Sequence, residues 1–238
     1  MGSFVGPESA QDNLALCLDA GNTRSYPGSG TTWFDISGNG KTTTLTNGPT
    51  YSSTNGGTIV FDGVNDQVTY PNTTYTLGGI FSIEVWSYWN GASAPDQNPW
   101  AGCMYTNSAL SDWNGGTGSN SGLLLGFASM RYNNLFGSEI GATWTNPTIK
   151  TWHHYVITIN NGTGYVYVDG QQVYTATDFR TTFSTTGTYG IGVADVFGSI
   201  RGSWNGYISA VRVYVRTALT AAEVRQNFNS LKGRYALY

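Results

Sequence analysis

The stretch from Trp152 to Ala176 permits one local geometry. Residues 153–159 are rich in β-branched and aromatic side chains, Asn160-Asn-Gly-Thr163 is a turn, and residues 164–168 form a second such run. Asp169-Gly170 then offers two consecutive residues that tolerate positive φ, as a two-residue hairpin turn requires, before residues 171–175 return. Three strands joined this tightly make an antiparallel meander. Other runs extend the pattern. Leu14-Ala-Leu-Cys-Leu-Asp19 reads as a strand, and Thr58-Ile-Val-Phe-Asp62 and Gln67-Val-Thr-Tyr70 flank the turn Gly63-Val-Asn-Asp66. Phe81-Ser-Ile-Glu-Val-Trp-Ser-Tyr-Trp89 sets Phe81, Ile83 and Val85 on one face and Ser82, Glu84 and Trp86 on the other. Further strands are expected at 122–127, 189–193 and 206–215. Residues 20–58 are turn-rich, with Pro27-Gly28 and Asn39-Gly40 as markers.

The C-terminal end changes period. Val211, Val213 and Val215 share one strand face, with Arg212, Tyr214 and Arg216 opposite. Thr220-Ala-Ala-Glu223 then fits a capping box, Val224, Phe228 and Leu231 form a helical stripe, and Gly233 is placed to end the helix. Short strands without internal repeats imply an all-β, two-sheet antiparallel sandwich with one short C-terminal helix. A polar arm, residues 1–13, precedes a single domain over residues 14–238.

Composition removes several functions. The net charge is −3 and the 11 basic residues are scattered, so no electrostatic footprint for nucleic acid exists. No apolar run is long enough to span a membrane. The first ten residues lack the basic and apolar regions of a signal peptide, which leads to an expectation of folding in a cytoplasm. Cys17 and Cys103 are far apart and lack metal-ligand spacing; two buried thiols and a disulfide both stay open.

Catalytic constellations are missing. Glycoside hydrolysis needs two carboxylates facing one site, and Glu84 has no acidic partner at 86 or 88. The adjacent His153 and His154 fall on opposite faces of a strand. No nucleophile elbow, P-loop or dinucleotide fingerprint occurs. The chain therefore reads as a non-enzyme. Binding is better represented, because Trp100, Tyr105, Trp113, Trp144 and Trp204 lie in or beside Gly/Asn/Ser-rich segments. Aromatic faces stack on sugar C–H surfaces while Asn and Asp bond hydroxyls. Residues 90–121 form the longest irregular stretch, and Asp112, Trp113 and Asn114 are its leading contacts. In the competing reading these rings pin loops to the core or fill a subunit interface. Trp86, Trp89 and Trp152 read as sheet packing.

Several segments together resemble the concanavalin A-like lectin/glucanase superfamily, in its laminin-G-like (LamG, pentraxin-like) branch. They are Ile59-Val-Phe-Asp-Gly-Val-Asn-Asp-Gln-Val68, Phe81-Ser-Ile-Glu-Val-Trp86, Trp152-His-His-Tyr-Val-Ile-Thr158, Tyr165-Val-Tyr-Val-Asp-Gly170 and Gly206-Tyr-Ile-Ser-Ala-Val-Arg-Val-Tyr214 with Ala218-Leu-Thr-Ala-Ala-Glu-Val224. The resemblance implies a jelly roll. The glucanases of that superfamily carry Glu-x-Asp-x-(x)-Glu on one strand, and Glu84 stands alone in its place.

Leu16-Cys-Leu-Asp-Ala-Gly-Asn22, Tyr26-Pro-Gly28, Trp33-Phe-Asp-Ile-Ser-Gly-Asn39 and Asn227-Phe-Asn-Ser-Leu-Lys-Gly-Arg-Tyr235 are similar to LamG-like domains of tailed-phage virion proteins. That likeness implies a head or tail protein made in the host cytoplasm and acting outside the cell. It would bind host-surface glycan or another virion protein, as a homo-oligomer or in multivalent display. The arm would be its attachment. The alternatives are a decoration protein without sugar affinity, a carbohydrate-binding module of a bacterial surface protein and, more distantly, a degenerate glycosidase. No cofactor is required. Family members often hold one Ca²⁺, for which Asp62 and Asp66 are the candidate ligands, with turn capping as the other role. Many relatives have Asp where this chain has Ser209, which removes one ligand.

Overall fold

The alternating runs become the strands of two antiparallel sheets in a computed structural model of the chain. It describes residues 9–71, 79–91, 102–106, 123–126, 129–133, 139–145, 147–177, 188–196 and 199–237. The first sheet has the order β14 (Gln171–Ala176), β13 (Thr163–Val168), β12 (Trp152–Asn160), β7 (Ile80–Trp89), β18 (Asn205–Val215), β5 (Thr58–Asp62) and β4 (Thr50–Ser52), with β1 (Leu14–Asp19) also paired to β18. The second runs β11 (Glu139–Thr143), β10 (Ser129–Asn133), β9 (Leu123–Gly126), β8 (Gly102–Thr106), β15 (Thr188–Ile191), β6 (Gln67–Pro71), β3 (Thr42–Thr46) and β2 (Thr32–Phe34). A hairpin of β16 (Val193–Val196) and β17 (Ser199–Ser203) leads into β18.

The period-2 pattern sorts the faces as expected. Phe81, Ile83, Val85, Val211 and Val213 of the first sheet meet Trp33, Leu45, Val68 and Ile191 of the second in one buried cluster. At the meander turn Asp169 has φ 51° and Gly170 φ 76°, and Asp169 Oδ1 accepts the His154 backbone N–H at 2.8 Å. The turn residue thus also pins the strand it turns away from. Within residues 20–58 the chain adds β2, β3 and β4, short Thr-rich strands that carry no alternation of their own.

Helix α1 (Ala221–Leu231) begins with the capping box: Thr220 accepts from the Glu223 N–H, and Glu223 accepts from the Thr220 N–H at 2.7 Å. Thr220→Ala should lower stability by about 1 kcal/mol; an unchanged urea midpoint would contradict the cap. The end of α1 differs from expectation. Gly233 lies within a 3-10 turn, Lys232–Tyr235, and the left-handed residue that stops it is Ala236 at φ 56°. The turn continues because Arg234 is anchored beneath it. The stripe is also richer than its apolar spacing suggests: Val224 and Asn227 are the buried residues of α1, while Phe228 and Leu231 are half-buried.

Candidate functional site

The outer face of the first sheet, turned away from the second, carries Ser82, Glu84, Trp86 and Tyr88 on β7. Arg212 and Tyr214 stand beside them on β18, and Trp152, His154 and Val156 on β12. Helix α1 and the 3-10 turn cover most of this surface. At its centre Glu84 is 1% exposed and ion-paired with Arg212. Its Oε2 accepts Asn227 Nδ2 at 2.7 Å, and His154 Nε2 lies 3.2 Å from Oε1, off the line of a good hydrogen bond. Burial alone would raise the Glu84 carboxyl; the charge of Arg212, then His154 and the Asn227 bond, overrides it and holds the group down at about 2. Burial pushes the Tyr214 hydroxyl and the free Cys17 thiol up. Asn227 Oδ1 accepts the Ala10 N–H at 2.7 Å, and Tyr214 donates to the Ala10 carbonyl at 3.2 Å. The end of the N-terminal arm is therefore tied to the clasp.

A second lock sits under the 3-10 turn. Arg234 donates to Asp19 Oδ1 (2.6 Å), the Asn55 carbonyl (2.6 Å), the Gly57 carbonyl (2.7 Å) and Ser209 Oγ (2.7 Å). Asn55 Oδ1 accepts Trp152 Nε1 at 3.1 Å, which links this lock to the neighbouring ring. Tyr235 lies 4.5 Å from both Trp86 and Trp152, and burial pushes its hydroxyl up to about 12.

Beyond the turn the outer face is only half-buried. Strand register sets Trp152 opposite Tyr88, Tyr88 opposite Tyr207, and Tyr207 opposite Val60. Trp152 is buried at the covered end; Tyr88, Tyr207 and Val60 are half-buried. The two tyrosine rings are 5.3 Å apart at 80°, and Tyr88 lies 5.8 Å from Trp152. Two residues along each strand, on the same face, come Asn90, Asn205 and Asp62, with Asn205 opposite Asp62. Asn90 Nδ2 donates to Asn205 Oδ1 at 3.4 Å, and Asn205 Nδ2 to the Gly91 carbonyl at 3.0 Å. An aromatic row thus adjoins a row of amides and one exposed carboxylate. Such a surface can stack a ring and bond its hydroxyls.

The residues singled out in the sequence fare differently. Trp204 is fully buried between the sheets and donates through Nε1 to the Tyr88 carbonyl at 3.2 Å, so it presents no face to a ligand. Its Gly/Ser surroundings suggested a loop, but the flanking strands draw it inward. Trp144 is half-buried against the same core. Tyr105 lies in β8, opposite Leu124 and Gly190, with its side chain outside the description. Trp100, Asp112, Trp113 and Asn114 lie outside the described residues. Trp86, Trp89 and Trp152 are packing residues, as expected, at 0%, 9% and 7% exposure.

Asp62 and Asp66, the candidate calcium ligands, both bond the turn they flank. Asp62 Oδ1 accepts the Val64 and Asn65 N–H groups at 2.7 and 3.4 Å, and Asp66 Oδ2 accepts the Asp62 N–H at 3.0 Å. Burial, with the nearby Asp62 charge, raises the Asp66 carboxyl despite that bond. Asp62 Oδ1 and Asp66 Oδ2 thus serve the turn. Ser209 Oγ, bonded to the Gly57 carbonyl and Arg234, is also committed. Among the described residues no cluster of three or more His, Cys, Asp or Glu could hold a metal ion. Tyr88, Tyr207, Asn227 and Arg234 were not among the candidate site residues. The available signal was the outer-face alternation of Glu84, Trp86 and Tyr88, too aromatic for a solvated surface.

A two-sheet sandwich carrying an open aromatic and amide surface, with its candidate acid sealed in an ion pair, defines a lectin-like domain. Residues 62–225 match the family model Laminin_G_3 of the concanavalin A-like lectin/glucanases superfamily, and the chain belongs to that family. A search of curated protein sequences finds no match. Solved structures share the fold. Domain 4 of AbnA, a GH43 extracellular arabinanase from Geobacillus stearothermophilus, in complex with arabinotriose, aligns with a TM-score of 0.63 and 16% identity over 90% of this chain and 98% of that one. Trypanosoma rangeli sialidase in complex with sialic acid aligns with a TM-score of 0.63 and 17% identity over 93% of this chain. The binding domain of Paraclostridial Mosquitocidal Protein 1 gives 0.63 and 18% over 92%. The chain spans about a third of the sialidase and about half of the toxin domain, at 33% and 52%. At these identities the likeness is one of fold. The neighbours include both glycosidases and binding domains.

Proposed function

We propose that this chain is a non-catalytic glycan-binding module whose contact surface is Tyr88 and Tyr207 with Asn90, Asn205 and Asp62. The observation that carries the reading is the open row itself: aromatic rings backed by Trp152 lie beside polar groups that bond hydroxyls. The sealed Glu84 argues against acid–base work on the same face, since a carboxyl held at about 2 is a poor proton donor near neutrality. A domain of the same fold solved with arabinotriose, and another described as a toxin's binding domain, support recognition as the role. The finer reading places the module on a phage head or tail, acting outside the cell, where repetition raises weak single-site affinity. The phage-like segments in the sequence support it. Because Ala10 is tied to Asn227, the attachment is assigned to the part of the arm before Ala10.

A glycan array probed with a multimerised domain tests the proposal. The wild type should give discrete hits, and the Tyr88→Ala/Tyr207→Ala variant should bind roughly tenfold more weakly with an unchanged circular dichroism spectrum. An empty array at high display density, or a double variant that binds like wild type, would overturn it.

A further inference from the structure

We infer that the open row takes a neutral glycan, because the fold keeps both guanidinium groups beneath this face for internal partners and leaves a carboxylate on the row; the inference rests on the glycan reading above. Two guanidinium groups lie beneath the outer face, and each faces a carboxylate inside the fold. Arg212 is buried against Glu84. Arg234 is ion-paired with Asp19 at 2.6 Å and donates to Asn55, Gly57 and Ser209 as well. The Arg234 socket is built to measure: a Cβ on Gly21 would come within 2.3 Å of its Nη2. Neither guanidinium reaches a ligand on the row. Lys150, exposed in the turn before β12, donates its backbone N–H to the Trp89 carbonyl at 2.8 Å, so it borders Asn90 at the end of the row far from Asp62.

The two rows themselves carry one charge, the exposed Asp62 carboxylate opposite Asn205. A uronate or sialate laid here would bring like charge to Asp62, which no described cation pairs with, an arrangement that rejects by repulsion. A neutral sugar meets no such penalty. Its C–H face stacks on Tyr88 or Tyr207, and its hydroxyls donate to Asp62 and exchange bonds with Asn90 and Asn205. A sugar hydroxyl given to an ionised carboxylate is among the stronger hydrogen bonds available to such a ligand.

Affinity gel electrophoresis separates the possibilities, with soluble β-glucan and arabinan as neutral probes and polygalacturonate and polysialic acid as anionic ones. The wild-type domain should be retarded by a neutral polymer and not by the anionic pair. Asp62→Asn keeps the oxygen that accepts the Val64 N–H, so the turn stays intact. This variant should gain about two- to fivefold in affinity for an anionic polymer, an effect that fades with added salt, and bind the neutral one more weakly, since a charge-assisted hydrogen bond becomes a neutral one. Wild-type retardation that is stronger on an anionic polymer would overturn the neutral assignment while leaving glycan binding in place. An Asp62→Asn variant that discriminates as wild type does would overturn the role of Asp62. No retardation in any gel, repeated with the multimerised domain, would remove both this inference and the reading beneath it.

Discussion

Arg212→Met should lower the folding free energy by about 3–5 kcal/mol, because it leaves a carboxylate buried without its counter-charge. Glu84 is 1% exposed, and Asn227, Tyr214 and His154 contribute only dipoles or imperfectly aligned contacts around it. The pair also joins three parts of the chain: β7 and β18 supply the charges, and α1 caps them through Asn227. Loss of Arg212 should therefore loosen α1 and the residues around Ala10 together. Replacing both partners, Glu84→Leu with Arg212→Met, should recover most of the loss, since an apolar pair has no charge to strand. Urea denaturation of the two single variants and the double variant measures this. A loss below about 1 kcal/mol for Arg212→Met would show that water or another cation reaches Glu84.

The same pair sets an acid limit. The Glu84 carboxyl is held at about 2 in the folded chain against an ordinary 4.5, which corresponds to ~3 kcal/mol of pH-linked stability. Because the folded value is the lower one, this contribution is complete above the unfolded value and drains away as pH falls from about 5 toward 2. In the double apolar variant that part of the acid dependence should disappear. Loss of any activity in a Glu84→Gln variant would therefore report a damaged clasp before it reported a catalytic acid.

Much of the sandwich was legible because its long strands have two chemically different faces. Residues 81–89 and 211–215 alternate between two faces: Phe81, Ile83, Val85, Val211 and Val213 enter the core between the sheets, while Glu84, Trp86, Arg212 and Tyr214 on the other face are buried as deeply beneath α1 and the 3-10 turn. The strands β2 to β4 were not legible: Thr42–Thr46 has no apolar rhythm, and its partner β6 lies some twenty residues on. Asn227 shows a different limit. Helical spacing marks Val224 and Phe228, but the reason to bury Asn227 sits on Glu84, 143 residues earlier. Gly233 suggested a stop, yet the chain obeys Arg234, whose socket includes Asn55, 179 residues away. The candidate surface was missed for a related reason. Tyr88 alternates as an ordinary strand residue does, and only the pairing of β7 with β12 and β18 sets it between Trp152 and Tyr207.

Trp204→Ala should be as damaging as any core truncation, at about 3–5 kcal/mol. Its ring is fully buried, lies 6.3 Å from Trp89 at a 38° tilt, and sits where the β16–β17 hairpin enters β18. Its backbone N–H donates to the Gly192 carbonyl at 2.8 Å and its Nε1 to the Tyr88 carbonyl at 3.2 Å. Truncation therefore opens a large cavity and removes the indole bond to the strand that presents Tyr88. Trp204→Phe keeps most of the volume and should cost less, with the lost hydrogen bond contributing about 1 kcal/mol. The pair of variants also distinguishes a packing tryptophan from a sugar-stacking one. Inside the core, Trp204 should govern the denaturation midpoint while the folded fraction of Trp204→Phe binds glycan with unchanged affinity. A Trp204→Phe protein that melts as wild type does but no longer binds would move Trp204 back to the ligand surface and displace Tyr88 and Tyr207 from it.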